Sequence, residues 1–248
     1  MPSAPIEFII PDWDAPAHIR VACTTRAGGV SRDGYASLNL GSHVEDLPSA
    51  VAQNRLRLRE QLKLPNEPQW LEQTHSTRVI DLNHQSSRDG DAACTRKAGQ
   101  VAVVLTADCL PVLFCNAAGS EVAAAHAGWR GLLNGVLEQT LDAMQSDASQ
   151  ILAWLGPAIG PQHFEVGAEV RAAFVQQEAS AAECFKENRP GHYLADLYQL
   201  ARLRLKKHGV NAIWGGDHCT FAEAERFFSY RRTPKTGRQA SLIWIDGV

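Results

Sequence analysis

The most constraining feature of this sequence is a series of short apolar segments near the middle of the chain. The segment VAVVL, at residues 101–105, is rich in β-branched residues and has no polar position, which is typical of a strand buried on both faces. PVLFC at 111–115 and EVAAAH at 121–126 predict two more strands, joined by the turn NAAG at 116–119. Such a sheet needs other elements to cover both of its faces.

Amphipathic segments predict helices that can supply this cover. One helix is expected to begin at the Pro-Ser pair at 48–49, a second to span 131–144, and a third to span 194–209 with Gly209 as its C-cap. The buried face of the first helix is predicted from its apolar positions, which are Val51, Leu56 and Leu62.

Further strands are predicted at 151–161, where Gly-Pro turns end the segment, and at VNAIWGG and ASLIWID near the C-terminus. Because several predicted strands adjoin in sequence, the pattern favours an α/β (α+β) fold with mixed β-sheets covered by helices over a doubly wound parallel sheet. A chain of 248 residues is long enough to bury a full core, and we predict a single domain over residues 1–248.

The charge composition argues against a protein that binds nucleic acid or a membrane surface. With 24 basic and 27 acidic residues the net charge is −3, which provides neither a basic footprint for nucleic acid nor a polybasic patch for a membrane. The N-terminus lacks the regions of a signal peptide, so we expect a cytoplasmic monomer or homodimer that acts on a small molecule. The six cysteines are then expected to be reduced, and none forms a C-x-x-C pair.

Three segments place a metal-ligating residue close to an apolar run: QTHS with His75, TADC with Cys109, and HAGWRG with His126. Strand ends of α/β sheets are where ligand sites collect. Two imidazole nitrogens and one thiolate suit Zn²⁺, and three protein ligands leave a fourth position open, as in catalytic zinc sites. The spacing matches no compact metal motif, so the three residues are a hypothesis at this stage.

Other chemistries use the same atoms. Cys109 can act as a nucleophile with His126 as its base, and Asp108 can orient a histidine, act as an acid or base, or simply cap a loop. A multicopper centre is hard to assemble, because the nine histidines include no His-x-His pair and the two methionines lie far from the candidate ligands. Copper nevertheless remains a possible replacement for zinc at a nitrogen and sulfur site.

Two polar stretches are candidates for substrate or phosphate binding. The long Gly-, Ser- and Asn-rich loop at 23–41 and the basic segment at 227–245 both carry arginines, whose forked guanidinium groups suit phosphate or carboxylate. An aromatic side chain beside the second stretch is suited to stacking on a planar base. The candidates within or just beyond these stretches are Arg26, Asn39, His43, Tyr230, Arg231, Arg232 and Arg238. Gln73 and Arg130, which lie in the QTHS and HAGWRG segments, are candidates as well.

Six segments carry a family resemblance, and they occur in order from Thr24 to Ile245. They are TTRAGGVS…SLNLGSHV, QTHS, TADCLPVLF, AAAHAGWRG, GPAIGP and FFSYRRTPKTGRQASLIWI. Together they resemble the laccase-domain family, formerly called multicopper polyphenol oxidases, whose members are now regarded as zinc-dependent purine nucleoside phosphorylases. The resemblance implies a single mixed-sheet domain similar to the catalytic domain of deamidating toxins.

The resemblance also implies a site and an activity. The family's metal ligands fall on His75, Cys109 and His126 of this sequence, and the implied cofactor is zinc. The implied reaction is phosphorolysis of adenosine, inosine, guanosine and methylthioadenosine, with a side activity of adenosine deamination. The alternative is a cytoplasmic peptidoglycan-editing amidase that releases L-serine from UDP-MurNAc-L-Ser. A copper-dependent polyphenol oxidase ranks third.

Overall fold

The structure is a computed structural model that describes residues 5–84 and 87–247. This part of the chain contains thirteen strands and five α-helices. The strands are β1 (Phe8–Ile9), β2 (Ile19–Thr24), β3 (Val79–Asp81), β4 (Ala92–Thr95), β5 (Val101–Thr106), β6 (Leu110–Asn116), β7 (Val122–Ala127), β8 (Ile151–Leu155), β9 (Glu165–Gly167), β10 (Phe185–Arg189), β11 (His192–Ala195), β12 (Ala212–Gly215) and β13 (Gln239–Ile245). The helices are α1 (Pro48–Leu62), α2 (Trp129–Asn134), α3 (Val136–Ala143), α4 (Ala168–Gln177) and α5 (Leu197–Lys207).

These strands form three sheets. The largest has six strands in the order β12-β8-β6-β7-β4-β3, the second has the order β1-β2-β13-β5, and a small third sheet has the order β10-β11-β9. The six-stranded sheet is mixed, because β12 pairs with β8 and β3 with β4 in parallel while its other pairs are antiparallel. The expectation of an α/β fold with mixed sheets and helices is therefore confirmed.

The two larger sheets pack against each other, which explains the continuously apolar strands. In β6, Leu113 packs with Val104 and Ile243 of the second sheet, while its neighbour Phe114 packs on the opposite face with Leu137 of α3 and Leu200 of α5. Because successive side chains of a strand point to opposite faces, a strand covered on both sides needs apolar residues at every position.

The outer face of the second sheet is covered by α1, whose Leu58 packs with Val103 and Leu242. Val51 belongs to the buried face of this helix as predicted, but Leu56 is 53% exposed. Asn54 is fully buried in its place and its side-chain amide donates to the carbonyl oxygens of Ser37 and Asn39. The helix thus also anchors the long loop that follows β2.

Two predicted helix boundaries are wrong. The helix expected over 131–144 is divided into α2 and α3 at Gly135, which has a left-handed φ of 100°. The helix expected over 194–209 begins only at Leu197, because the preceding residues form β11 and Asp196 caps the helix by accepting a hydrogen bond from the Gln199 amide. Both breaks come from local backbone geometry that hydrophobic periodicity does not report.

One connection between the sheets positions the candidate site. The chain leaves the second sheet at the end of β5, crosses residues 107–109, and enters the six-stranded sheet at the start of β6. Within the described residues, no helix is long and apolar enough to span a membrane.

We predict that Gly135→Ala lowers the free energy of unfolding by about 1 kcal/mol, because alanine is strained in the left-handed conformation. The nearest atom to an added Cβ would be Glu138 Oε2 at 3.6 Å, an ordinary contact, so steric clash adds little. Urea unfolding is the measurement. The exposed neighbour Asn134→Ala is the control and should stay within about 0.5 kcal/mol of the parent protein; equal losses in the two variants would contradict the strain argument.

Candidate functional site

The three candidate metal ligands meet at one point of the structure. One ligand atom from each of His75, Cys109 and His126 lies within 4.8 Å of the others, and Cys109 Sγ is 3.8 Å from His75 Nε2. The two imidazole ring centres are 4.9 Å apart. A cluster of two imidazoles and one thiolate, drawn from distant parts of the chain, can hold a metal ion.

Strand pairing brings two of these residues together. His126 lies in β7 and pairs with Pro111 of β6, so Cys109, which immediately precedes β6, comes beside the end of β7. His126 is 4% exposed and Cys109 is partly exposed, whereas His75 lies in a surface loop before β3. A pairing register fixed by the buried sheet therefore sets the distance between two ligands.

The third ligand is held by Asp91, a fully buried residue just before β4 that sequence reasoning missed. Asp91 Oδ1 accepts from the His75 amide at 3.0 Å and from His126 Nδ1 at 2.8 Å, while Oδ2 accepts from the amide and hydroxyl of Ser76 at 2.6 and 2.7 Å. Because Nδ1 of His126 donates to this carboxylate, its Nε2 is left to face the metal cluster.

The charges in this cluster support one another. Burial opposes ionisation of Asp91, but the hydrogen bonds from His126 and Ser76 outweigh it and lower the pKa of Asp91 to about 2. Burial likewise opposes a thiolate, yet His126 and His75 lower the pKa of Cys109 to about 6. Burial also disfavours the imidazolium, but Cys109 and Asp91 raise the pKa of His126 to about 9. The thiolate form that a metal or a nucleophilic mechanism requires is thus favoured at neutral pH.

The cluster opens into a pocket of about 470 Å³, within the range of small-molecule sites. Part of the wall is apolar and is formed by Leu105, Ala107, Trp129, Ile159 and Phe164. The other lining residues include most of the sequence-predicted candidates, namely His43, Gln73, Asp108, Arg130, Tyr230, Arg231 and Arg238, together with Thr106 and the three ligands.

Two of these residues have their polar atoms engaged by the protein. The amide of Gln73 pairs with the main chain of Leu105 through two hydrogen bonds of 2.8 Å. Asp108 accepts hydrogen bonds from the Thr220 hydroxyl and from the Arg231 amide, both at 2.7 Å. Within the described residues, Asp108 makes no hydrogen bond to a histidine. Asp91, rather than Asp108, is the carboxylate that orients a histidine.

Three other candidates do not line the pocket. Arg26 donates to the carbonyl oxygens of Ala36 and Ala224, and Arg232 donates to those of Thr220, Phe221 and Phe227. Asn39 is fully buried and bonds to Gly41, Asp46 and the Arg238 amide. These residues hold the surrounding loops together.

The remaining basic candidates, His43, Arg130, Arg231 and Arg238, line the pocket. The guanidinium of Arg130 lies 4.4 Å from the Trp129 ring and makes no hydrogen bond to the described residues. Arg231 donates to Glu165 O at 2.9 Å, and Arg238 donates to two nearby carbonyls. Burial and the charge of Arg238 lower the pKa of His43, so its imidazole is neutral at neutral pH.

Gly128 follows β7, and its lack of a side chain leaves room for two ligands. A Cβ at this position would lie 2.9 Å from Cys109 Sγ and 2.9 Å from His75 Cδ2. Its φ of −61° is open to any residue, so close approach, rather than backbone freedom, is what requires glycine here.

We predict that Gly128→Ala weakens metal binding at least about tenfold, because the new methyl group displaces Cys109 or His75. Competition with a chromogenic chelator measures the affinity. Gly191→Ala is the control: it adds strain at a φ of 76° with nothing within 4 Å of the new Cβ, and should leave metal affinity unchanged. Tight binding by Gly128→Ala would show that the ligands do not meet beside this residue.

Comparison with known proteins agrees with this geometry. A family model described as multi-copper polyphenol oxidoreductase laccase matches residues 20–246. The purine nucleoside phosphorylase YfiH of Escherichia coli strain K12 is 53% identical over 241 residues, which are 96% of this chain and 99% of that protein. The purine nucleoside phosphorylase PA4543 of Pseudomonas aeruginosa is 51% identical over 240 residues, covering 96% and 98%.

Solved structures show the same fold. Protein NMB0706 of Neisseria meningitidis, assigned to family-model DUF152, superposes with a TM-score of 0.93 at 50% identity, over 97% of this chain and 99% of that one. YlmD of Geobacillus stearothermophilus gives a TM-score of 0.85 at 31% identity, over 98% and 100%. The resemblance carried by the six sequence segments is confirmed: the chain belongs to the multi-copper polyphenol oxidoreductase laccase family, whose relatives include YfiH.

Proposed function

We propose that this protein is a zinc-dependent purine nucleoside phosphorylase that acts on adenosine, inosine, guanosine and methylthioadenosine. The observation that carries the proposal is the opening of the His75–Cys109–His126 cluster into a pocket that also presents three arginines. Relatives over 50% identical across nearly their whole length are named purine nucleoside phosphorylases, which supports the same assignment.

The donor set fits zinc. His75, Cys109 and His126 supply two nitrogens and one thiolate, and all three residues line the pocket, from which a water or substrate could supply a fourth ligand. Zinc bound there would supply positive charge, and a polarised water, beside the reacting groups. The same donors accept copper, so zinc is part of the proposal and metal analysis tests it.

Phosphorolysis develops opposite charges on two parts of the substrate, and the pocket must stabilise both. As the N-glycosidic bond breaks, the ribose becomes positive and the departing purine becomes negative. A phosphate oxygen must attack C1′, and we assign the phosphate to Arg130, since its guanidinium makes no hydrogen bond to the described residues of the protein. Arg231 and Arg238 line the same pocket and add positive charge to it.

The purine is assigned to the aromatic side of the pocket. Tyr230 is 55% exposed and lines the pocket, as Phe164 does, so a planar base has aromatic surface to contact. The lowered pKa of His43 keeps its imidazole neutral, and a neutral ring N–H can donate a hydrogen bond to the purine as negative charge develops. Asp108 is less suited to protonate the base, because both carboxylate oxygens already accept hydrogen bonds.

A second candidate function rests on one observation. Cys109 Sγ lies 3.8 Å from His75 Nε2 and within 4.8 Å of a ligand atom of His126, and the two histidines lower the pKa of this thiol. A thiolate so placed is also suited to attack on a carbonyl, as the peptidoglycan-editing amidase reaction requires. Adenosine deamination, the proposed side activity, has weaker support, because it needs a carboxylate to shuttle protons. Asp108 is the sole carboxylate lining the described pocket, and both of its oxygens already accept hydrogen bonds from the protein.

We predict that zinc-loaded protein releases hypoxanthine from inosine only when phosphate is present, with ribose 1-phosphate as the second product. Chromatography of parallel reactions with and without phosphate is the measurement, and UDP-MurNAc-L-Ser is assayed on the same preparation. Base release at equal rates without phosphate excludes phosphorolysis, and much faster release of serine would establish the amidase instead.

Cys109→Ala should lose stoichiometric zinc by elemental analysis, whereas retained zinc would refute its role as a ligand.

We further predict that Arg130→Gln raises the KM for phosphate at least about tenfold, because it removes a charge-assisted contact. The KM for inosine should change little, since this contact is assigned to phosphate alone. Arg20→Gln, which removes a surface ion pair with Asp246, is the matched control and should behave as the parent protein. An unchanged KM for phosphate in Arg130→Gln would transfer the assignment to Arg231 or Arg238.

A further inference from the structure

The six cysteines differ sharply in accessibility. Cys109 belongs to the metal cluster, and four others are buried, with thiol pKa values that burial raises to about 11 or 12; these four are Cys23, Cys94, Cys115 and Cys184. Cys219 alone is both partly exposed and outside the cluster. It follows β12 in the loop that leads towards the basic segment.

Cys219 is paired with a histidine. Its Sγ lies 3.5 Å from His163 Nδ1, and it also accepts hydrogen bonds from the amides of Gly160 at 3.2 Å and Ala222 at 3.4 Å. The His163 ring stacks on Phe221, with ring centres 4.7 Å apart and planes 23° apart. The sulfur therefore has a base within reach, and a third group fixes the orientation of that base, as in activated thiol nucleophiles.

We propose that Cys219 and His163 form a second reactive site, at which a hydroperoxide oxidises the thiol and thereby loosens the metal centre. His163 Nδ1 accepts the thiol proton while the sulfur attacks one peroxide oxygen. The O–O bond breaks, and the departing oxygen takes the proton, so that hydrogen peroxide yields water and an organic hydroperoxide yields an alcohol. The sulfur loses two electrons and becomes a sulfenic acid, and the peroxide is reduced by the same two electrons.

The oxidised sulfur does not fit the surrounding loop. The Gly160 backbone lies close against the sulfur, because its amide donates to Cys219 Sγ at 3.2 Å and a Cβ built at Gly160 would lie 3.1 Å from the same atom. An oxygen added on that side pushes the two segments apart. The two amides that point at the sulfur must also change partners when the oxygen is added. The loop therefore has to move, and it does so together with the main chain of Cys219 and Thr220.

Thr220 connects this loop to the metal centre. Its hydroxyl donates to Asp108 Oδ1 at 2.7 Å, and Asp108 immediately precedes the ligand Cys109. Asp108 has a left-handed φ of 92°, a conformation that costs energy for a residue with a side chain and that persists when its surroundings enforce it. When Thr220 moves, this constraint is lost, and Cys109 moves away from His75 and His126.

Labelling tests the reactive pair without using any catalytic assay. Zinc-loaded protein, in which Cys109 is ligated, is treated with one equivalent of hydrogen peroxide in the presence of dimedone, and adducts are located by peptide mass spectrometry. We expect Cys219 to be labelled at least about tenfold faster than Cys184, and His163→Phe to slow labelling by a similar factor. This substitution keeps a ring to stack on Phe221, and the surface variant His192→Phe is its control. Equal labelling of Cys219 and Cys184, or an unchanged rate in His163→Phe, would overturn the reactive pair.

Zinc release tests the connection to the metal centre. A chromogenic chelator follows release after peroxide treatment of the parent protein and of Cys219→Ser, which should bind zinc normally before treatment. We expect release from the parent at least about tenfold faster than from Cys219→Ser. Equal release from both proteins would mean that peroxide acts on Cys109 directly, and would refute transmission through Thr220 and Asp108.

Discussion

The carboxylate of Asp91 is the interaction on which the candidate site depends. It accepts from the side chain of His126 and from the main chain of His75, so one buried anion holds both histidines. His75 has a left-handed φ of 62°, which is uncommon for a residue with a side chain and is held here by that hydrogen bond. A buried carboxylate is stable only when its oxygens are well satisfied, and Asp91 meets this requirement with donors from the segments that carry the ligands.

Packing of the two large sheets supplies the frame for this interaction. β6 and β7 are covered on both faces, so their register is strongly fixed, and this register places Cys109 beside the end of β7. The connection through residues 107–109 then carries the thiolate from one sheet to the other. The cluster of candidate ligands is consequently built at the junction of two rigid elements, with one residue, His75, contributed by a surface loop.

The basic residues around the pocket divide into two groups with different physical roles. Arg26 and Arg232 are directed at main-chain carbonyls and stabilise loops, whereas the Arg130 guanidinium lies over the Trp129 ring and makes no hydrogen bond to the described residues. Guanidinium groups serve both purposes well, because their fixed fork of donors satisfies carbonyls and anions alike. The loop containing Cys219 is joined to the pocket by the hydrogen bond from Thr220 to the lining residue Asp108.

Sequence alone determined the buried strands and the mixed α/β class, since hydrophobic periodicity is a local property. It also named His75, Cys109 and His126 as candidate ligands, and the structure brings these three residues together. It did not identify Asp91, because Asp89 lies two positions earlier and only tertiary structure shows that Asp89 pairs with Arg78 on the surface while Asp91 is fully buried. Nor could it separate Arg130 from Arg26 and Arg232, or find the break at Gly135. These outcomes depend on which donors and acceptors meet after the sheets have packed, and that is decided by contacts between residues far apart in the chain.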